Sequence, residues 1–155
     1  MRLKFYDKKD QASIVQYVLA EDQLRFTMAP QASIELAERD VNRHAILAMK
    51  DDRLVTFFVL HEKDGVKPYS QNEQALLIRA FSTTMQEQGK GYAKEALQLL
   101  PAFVKQYFPT INELVLGVNF SNIAAQALYK KCGFVDEGIT AIGINDKLKV
   151  MTYYL

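Results

Sequence analysis

Apolar and polar positions change period along the chain in a way that predicts alternating strands and helices. Arg2 to Tyr6 alternates as a short edge strand does, and Asp7 or Asp10 then caps a helix carrying Ile14, Val15, Val18 and Leu19 on one side. A weaker helical pattern starts at Ser33 and runs through Leu36, Ala37 and Val41, with Pro30 just before it. His44 to Met49 and Leu54 to Leu60 are apolar, β-rich runs separated by Lys50, Asp51, Asp52 and Arg53, which predicts a tight hairpin without a glycine. Residues 61 to 73 collect Gly65, Pro68, Ser70 and Asn72 and form an exposed connection.

The second half continues with an apolar strand from Gln74 to Phe81. A helical period follows from Gly91 through Ala96, Leu97 and Leu100 to Val104 and Phe108, with a kink expected at Pro101. Leu114 to Val118 reads as a strand, Asn122 to Cys132 as a helix, and Phe134 to Ile144 with Lys147 to Tyr153 as a closing hairpin around Asn145 and Asp146. The order β, α, α, β, β, β, α, β, α, β, β implies a mixed sheet with helices on both faces.

Composition narrows the function. At 155 residues the chain supports one core, so residues 1–155 are read as a single domain. Nineteen basic residues against 18 acidic ones leave no single-sign field to draw it onto nucleic acid or anionic lipid. One cysteine, Cys132, excludes an internal disulfide, and His44 and His61 stand too far apart in sequence to suggest a metal motif. The N-terminus has no apolar run behind its basic residues, and no uncharged apolar stretch approaches the ~18 residues a bilayer span needs, so a cytoplasmic protein without a metal is expected.

Chemistry concentrates in two stretches. Residues 82 to 93 join a strand to a helix through Gly89 and Gly91, which let backbone N–H groups approach a ligand at the positive end of the helix. The same glycines would also serve a plain strand-to-helix turn. Lys94 breaks the dinucleotide glycine pattern, and no Gly-Lys-Ser/Thr ending is present. In the second stretch Asn122 caps a helix with Ala125, Leu128 and Tyr129 along one side, and Gly133 ends it before Phe134.

Together, in this order, the two stretches resemble the GNAT superfamily of acetyl-CoA-dependent N-acetyltransferases. The family's pyrophosphate loop, Gln/Arg-x-x-Gly-x-Gly/Ala, is matched at Gln88, Gly91 and Ala93, and its later helix, Asn-x-x-Ala-x-x-Leu-Tyr-x-x-x-Gly-Phe, at Asn122, Ala125, Leu128, Tyr129, Gly133 and Phe134. The resemblance implies a mixed α/β (α+β) fold: a central, mostly antiparallel sheet of about seven strands, flanked by about four helices, whose strands at 74–81 and 114–118 splay apart to admit acetyl-CoA.

It also implies site residues. Phe81 and Thr83 would meet the pantetheine arm through their main chain. Amides of Gln88, Gly89, Lys90, Gly91, Tyr92 and Ala93 would hold the pyrophosphate, with the Lys90 side chain either adding charge or simply solvated. Asn122 would cap its helix and hydrogen-bond the cofactor, with Asn119 as a neighbour, and Tyr129 would assist the departing coenzyme A thiolate. The glutamate that some relatives place near Ala75 is absent, and Glu73 reads as solvated.

The acceptor that the resemblance implies is a primary amine, either a small molecule (polyamine, amino sugar or amino acid derivative) or a protein amine. Arg79 would repel cationic amines, bind an acceptor carboxylate or reach the sheet edge, while Glu21 and Asp22 would attract a cation. Cys132 has no activating histidine nearby, so a covalent acetyl-cysteine route is unsupported. An idle acyl-CoA-binding module is the alternative from another class. Residues 149 to 155 either close the core or pair with a second subunit in a homodimer.

Overall fold

Residues 1–143 and 146–155 are described by a computed structural model. Seven strands, β1 (Arg2–Phe5), β2 (Arg43–Lys50), β3 (Arg53–His61), β4 (Ala75–Thr83), β5 (Glu113–Asn119), β6 (Val135–Ile142) and β7 (Lys147–Tyr154), form one sheet in the order β1-β2-β3-β4-β5-β7-β6. Among the described residues only β4 and β5 pair in parallel. The helices are α1 (Gln11–Gln16), α2 (Glu21–Leu24), α3 (Pro30–Arg39), α4 (Tyr92–Tyr107) and α5 (Ile123–Lys131).

The mixed sheet with helices on both faces is therefore as expected, with three differences near the N-terminus. The helix α1 stops at Gln16, before Val18 and Leu19, and Asp7 caps a short 3-10 turn ahead of it while Asp10 pairs with Lys4 at 2.8 Å. The second helical pattern begins at Pro30, which suits a first helical position because its missing N–H is not needed there, and ends before Val41. The third difference is α2, four residues long, which is too short to show a hydrophobic period.

Between β2 and β3, Asp51 and Asp52 both adopt left-handed conformations, φ 49° and 64°, the pair of signs that a two-residue hairpin turn requires. The final hairpin joins β6 to β7 as expected, and of the Asn145 and Asp146 expected at its turn, Asn145 lies, with Ile144, outside the described residues. With β5 on one side and β6 on the other, β7 has both of its edges paired within the sheet. Among the described residues no helix is long and apolar enough to cross a membrane.

Alternation divides the sheet into two buried faces. Ile46, Phe58, Leu76 and Leu116 point toward α4 and α5 and meet Leu97, Leu100 and Tyr129, whereas Leu47, Phe57 and Val59 meet Ile14 of α1 and Ile34 of α3. The helix α4 continues through Pro101, whose missing N–H deprives the Leu97 carbonyl of its intrahelical donor.

One irregularity positions the site. Ser82 lies opposite Phe57 but Arg79 lies opposite Val59, so β4 carries one residue more than β3 there. Ala80 absorbs it with φ 55°, an unusual value for a residue with a Cβ. The bulge flips the alternation, so that Ala80 packs toward α1 and α3 while Phe81 joins the α4 and α5 face.

Candidate active site

β4 and β5 pair only from Ala75 opposite Glu113 to Ile78 opposite Leu116. Beyond that point they separate, and cavities open on both faces of the sheet. One, of about 530 Å³, lies between β4, the α4 entry loop and α5. The other, of about 770 Å³, lies on the α3 side. Both touch Ile78, Arg79 and Ala80 of β4 and Gly117 and Asn119 of β5, so they meet where the strands part.

The β4 end of the gap presents main-chain groups. Thr84 N–H donates to Val55 O at 3.0 Å and Ser82 lies opposite Phe57, so alternation turns the N–H and C=O of Phe81 and Thr83 toward the gap. The Thr83 carbonyl accepts from Gln23 Nε2 at 2.8 Å and Gln88 Nε2 at 3.3 Å. Its N–H and both groups of Phe81 face the opening.

Further ties fix this strand end. Tyr17 O–H donates to Ser82 O at 2.7 Å, and Val18 N–H donates to Thr84 Oγ1 at 3.0 Å. These residues are more than sixty positions apart, and no local pattern signals the pairing. Tyr17→Phe is expected to cost about 1–2 kcal/mol, because the buried Ser82 loses a donor, read as a lower urea midpoint at unchanged slope.

The loop before α4 is an amide cradle. Gly89 and Gly91 have φ 77° and 81°, and a Cβ on either would meet nothing within 4 Å. Backbone sign therefore demands glycine, while the space beside each stays open. No side chain caps the helix, so the N–H groups of Tyr92, Ala93 and Lys94 have no acceptor of their own at its positive end. Gln88, Gly89, Gly91, Tyr92 and Ala93 line the cavity. The Lys90 side chain does not; it pairs with Glu87 at 2.9 Å. Lys90 and Arg53 together hold the Glu87 carboxyl below its ordinary range and offset its charge beside the cradle. An open cradle, uncapped amides and a long helix fit a diphosphate.

On the opposite wall Asn122 caps α5, its Oδ1 accepting from Ala125 N–H at 3.2 Å, and Asn119 O accepts from Asn122 N–H at 3.0 Å. Tyr129 lines the cavity from α5, with its ring edge-on to Phe81 at 6.1 Å between centroids and beside Phe134 at 5.9 Å. Burial pushes its phenol well above the ordinary value, so it keeps its proton at neutral pH. Burial also raises the Cys132 thiol, which keeps it from being a ready nucleophile. Glu73 is exposed and outside both cavities, as expected.

The α3-side cavity carries a group that sequence reading left undecided. Arg79 donates to His61 Nδ1 at 3.0 Å, and His61 Nε2 faces Asp40 at 3.4 Å. Because arginine can only donate, Nδ1 must be the accepting nitrogen and the imidazole is neutral with its proton on Nε2. Burial, then Arg43 and Arg79, lower the His61 pKa. Since the folded value lies below the unfolded one, its contribution to stability is complete above about pH 6.5 and is lost as pH falls below it. The urea midpoint should therefore drop between about pH 7.5 and 5.5, and drop less in His61→Gln.

Residues 11–134 match the sequence profile of the Acetyltransferase (GNAT) family. The chain belongs to the GNAT family. As a GNAT protein it is an acetyl-CoA-dependent N-acetyltransferase. It is 40% identical over 154 residues to an uncharacterized N-acetyltransferase, YbbJ, of Bacillus subtilis (strain 168), a match spanning 99% of this chain and 96% of that protein. Among solved structures, the aminoglycoside acetyltransferase AAC(6')-Ib in complex with coenzyme A superposes with TM-score 0.78 at 14% identity, over 98% of this chain and 93% of that one. The spermidine N-acetyltransferase of Vibrio cholerae, solved with CoA and spermine, does so with TM-score 0.65 at 18% identity, over 99% and 94%. At such identities the structures show a shared GNAT fold.

Proposed function

We propose that this single domain transfers acetyl from acetyl-CoA to a primary amine by direct attack in a ternary complex, with Tyr129 assisting the leaving sulfur. The observation that carries the reading is the meeting of the two cavities at the parted strands. One has the amide cradle and Tyr129, and the other has room for an acceptor. An idle binding module would need only the first.

In this reading the amides of residues 88 to 93 hold the diphosphate, Phe81 and the Thr83 N–H meet the pantetheine arm, and Asn122 closes the opposite wall. Bound acetyl-CoA supplies an activated thioester carbonyl. The amine nitrogen bonds to that carbon, the carbon–sulfur bond breaks, and negative charge gathers on sulfur as the nitrogen gives up a proton. A phenol with its pKa held above about 10 surrenders its proton reluctantly to a thiolate whose acid lies near 8.5. Tyr129 therefore acts first as a hydrogen-bond donor to sulfur.

The amine must arrive unprotonated, a gap of roughly 4.6 kcal/mol for an alkylamine of pKa about 10.4 at pH 7. Arg79 and Arg43 line the acceptor cavity, and their positive charge favours the neutral amine. The test is thiol release from acetyl-CoA by purified protein with a panel of small primary amines and peptide amines. Release that depends on an amine, with mass-identified N-acetyl product, supports the reading. Tight acetyl-CoA binding with no amine-dependent release overturns it.

A further inference from the structure

The charged groups of the acceptor cavity are unevenly satisfied. Arg43 pairs with Asp40 at 3.4 Å, Asp64 pairs with Lys67 at 2.8 Å at the surface, and Asp146 accepts from Lys147 N–H at 2.8 Å. Arg25 likewise joins no ion pair among the described residues, but it is exposed and lies over the Phe26 ring, 5.4 Å from its centroid. Arg79 differs from all of these. It stands mid-strand and half-buried, and among the described residues it joins no ion pair. Its protein hydrogen bond goes to a neutral ring nitrogen, which orients the guanidinium without cancelling its charge.

That orientation is built. Asp40 fixes the far side of the His61 ring, and Gly65 lies so close over the imidazole that a Cβ there would fall 2.2 Å from Nδ1. The β4 bulge, held with Ala80 at φ 55°, puts Arg79 one residue past the last β4–β5 pair, Ile78 opposite Leu116. A half-buried cation without a counter-ion is costly unless something anionic completes it. The remaining donors of the fork match a carboxylate in the two-pronged geometry that arginine alone among side chains offers.

We propose that Arg79 is the acceptor-carboxylate clamp, so that the amine acetylated is an α-amino acid or a short derivative with its carboxylate next to the amine, and that His61 is a positioning residue for that clamp. This rests on the acetyltransferase reading above and adds the acceptor class to it. Arg79 touches both cavities, so an acid group held there leaves an adjacent amine at the gap. A polyamine would instead bring positive charge against Arg79.

The experiment compares α-amino acids with their decarboxylated counterparts as acceptors, in the native protein and in Arg79→Gln and Arg79→Lys. Retained acetyl-CoA affinity shows that each variant is folded. Calorimetry with the matching N-acetyl amino acids reports carboxylate binding without turnover. The native enzyme is expected to favour the amino acids in kcat/KM by about tenfold or more, the scale of a charge-assisted pair. Arg79→Gln should bring that ratio toward unity, with Arg79→Lys in between because it keeps the charge and loses the fork.

His61→Leu should raise KM for the amino acid more than it lowers kcat. His61→Gln, whose amide oxygen can accept from Arg79, should recover most of that loss. A native preference for the decarboxylated amines, or a ratio unmoved by Arg79→Gln, overturns the clamp while leaving the enzyme intact. Thiol release with neither class, while another amine of the wider panel is acetylated, overturns the α-amino acid as acceptor and leaves the acetyltransferase reading intact, whereas release with no amine at all overturns that reading itself.

Discussion

Tyr129→Phe is expected to lower amine-dependent thiol release by about 100-fold, within the range for loss of a positioned proton donor, with acetyl-CoA affinity staying within about twofold. The ring accounts for the second half of that expectation. Tyr129 packs against Phe81 and Phe134, and phenylalanine preserves both contacts. The hydroxyl accounts for the first half. The phenol is protonated at neutral pH and burial raises its pKa further, so in the proposed reading it donates to sulfur as charge gathers there and is of no use to the resting thioester. Stopped-flow or continuous thiol detection gives turnover, and equilibrium dialysis gives affinity. Turnover within about threefold of native would show that the leaving sulfur is stabilised elsewhere, by main-chain donors or water.

Gly91→Ala is expected to weaken acetyl-CoA binding by about 30-fold, equivalent to roughly 2 kcal/mol, the scale of one lost hydrogen bond to a charged group. Gly91 caps α4 at φ 81°, where a Cβ costs about 1–2 kcal/mol of backbone strain. That strain alone would lower stability without touching the ligand. The added methyl, however, enters the open space beside the cradle, which a diphosphate must approach closely. Gly138 provides the comparison. It too has φ 81° with nothing within 4 Å of a Cβ, but it lies in β6, away from the cavity. Gly138→Ala should lower stability by a similar amount and leave the dissociation constant alone. Equal affinity losses, or none in Gly91→Ala, would remove the amides from the diphosphate site.

The two glycines and the Asn122-to-Phe134 stretch were readable because they solve local problems. A positive φ, a helix cap and a helix stop are each set within a few residues, and side-chain chemistry shows where they fall. Thr83 and Lys90 were only half readable. Whether a carbonyl or an ammonium is free depends on Gln23 and Glu87, and Gln23 reaches Thr83 across a sequence separation of 60. Tyr17 was missed for the same reason, and α2 because four residues carry no period.

Residue order and type by themselves determined the alternation of strands and helices, the hairpin turn at Asp51 and Asp52, the amide cradle and the family. Each depends on backbone preferences and on hydrophobic period, which act over neighbouring residues. Tertiary structure decided where β4 and β5 part, that Arg79 faces the α3-side cavity without a counter-ion among the described residues, and which nitrogen of His61 carries its proton. Those outcomes hang on a one-residue bulge opposite β3 and on partners such as Asp40 and Gly65. Such contacts are fixed by the packing of distant segments, and packing leaves no mark at the position it acts upon.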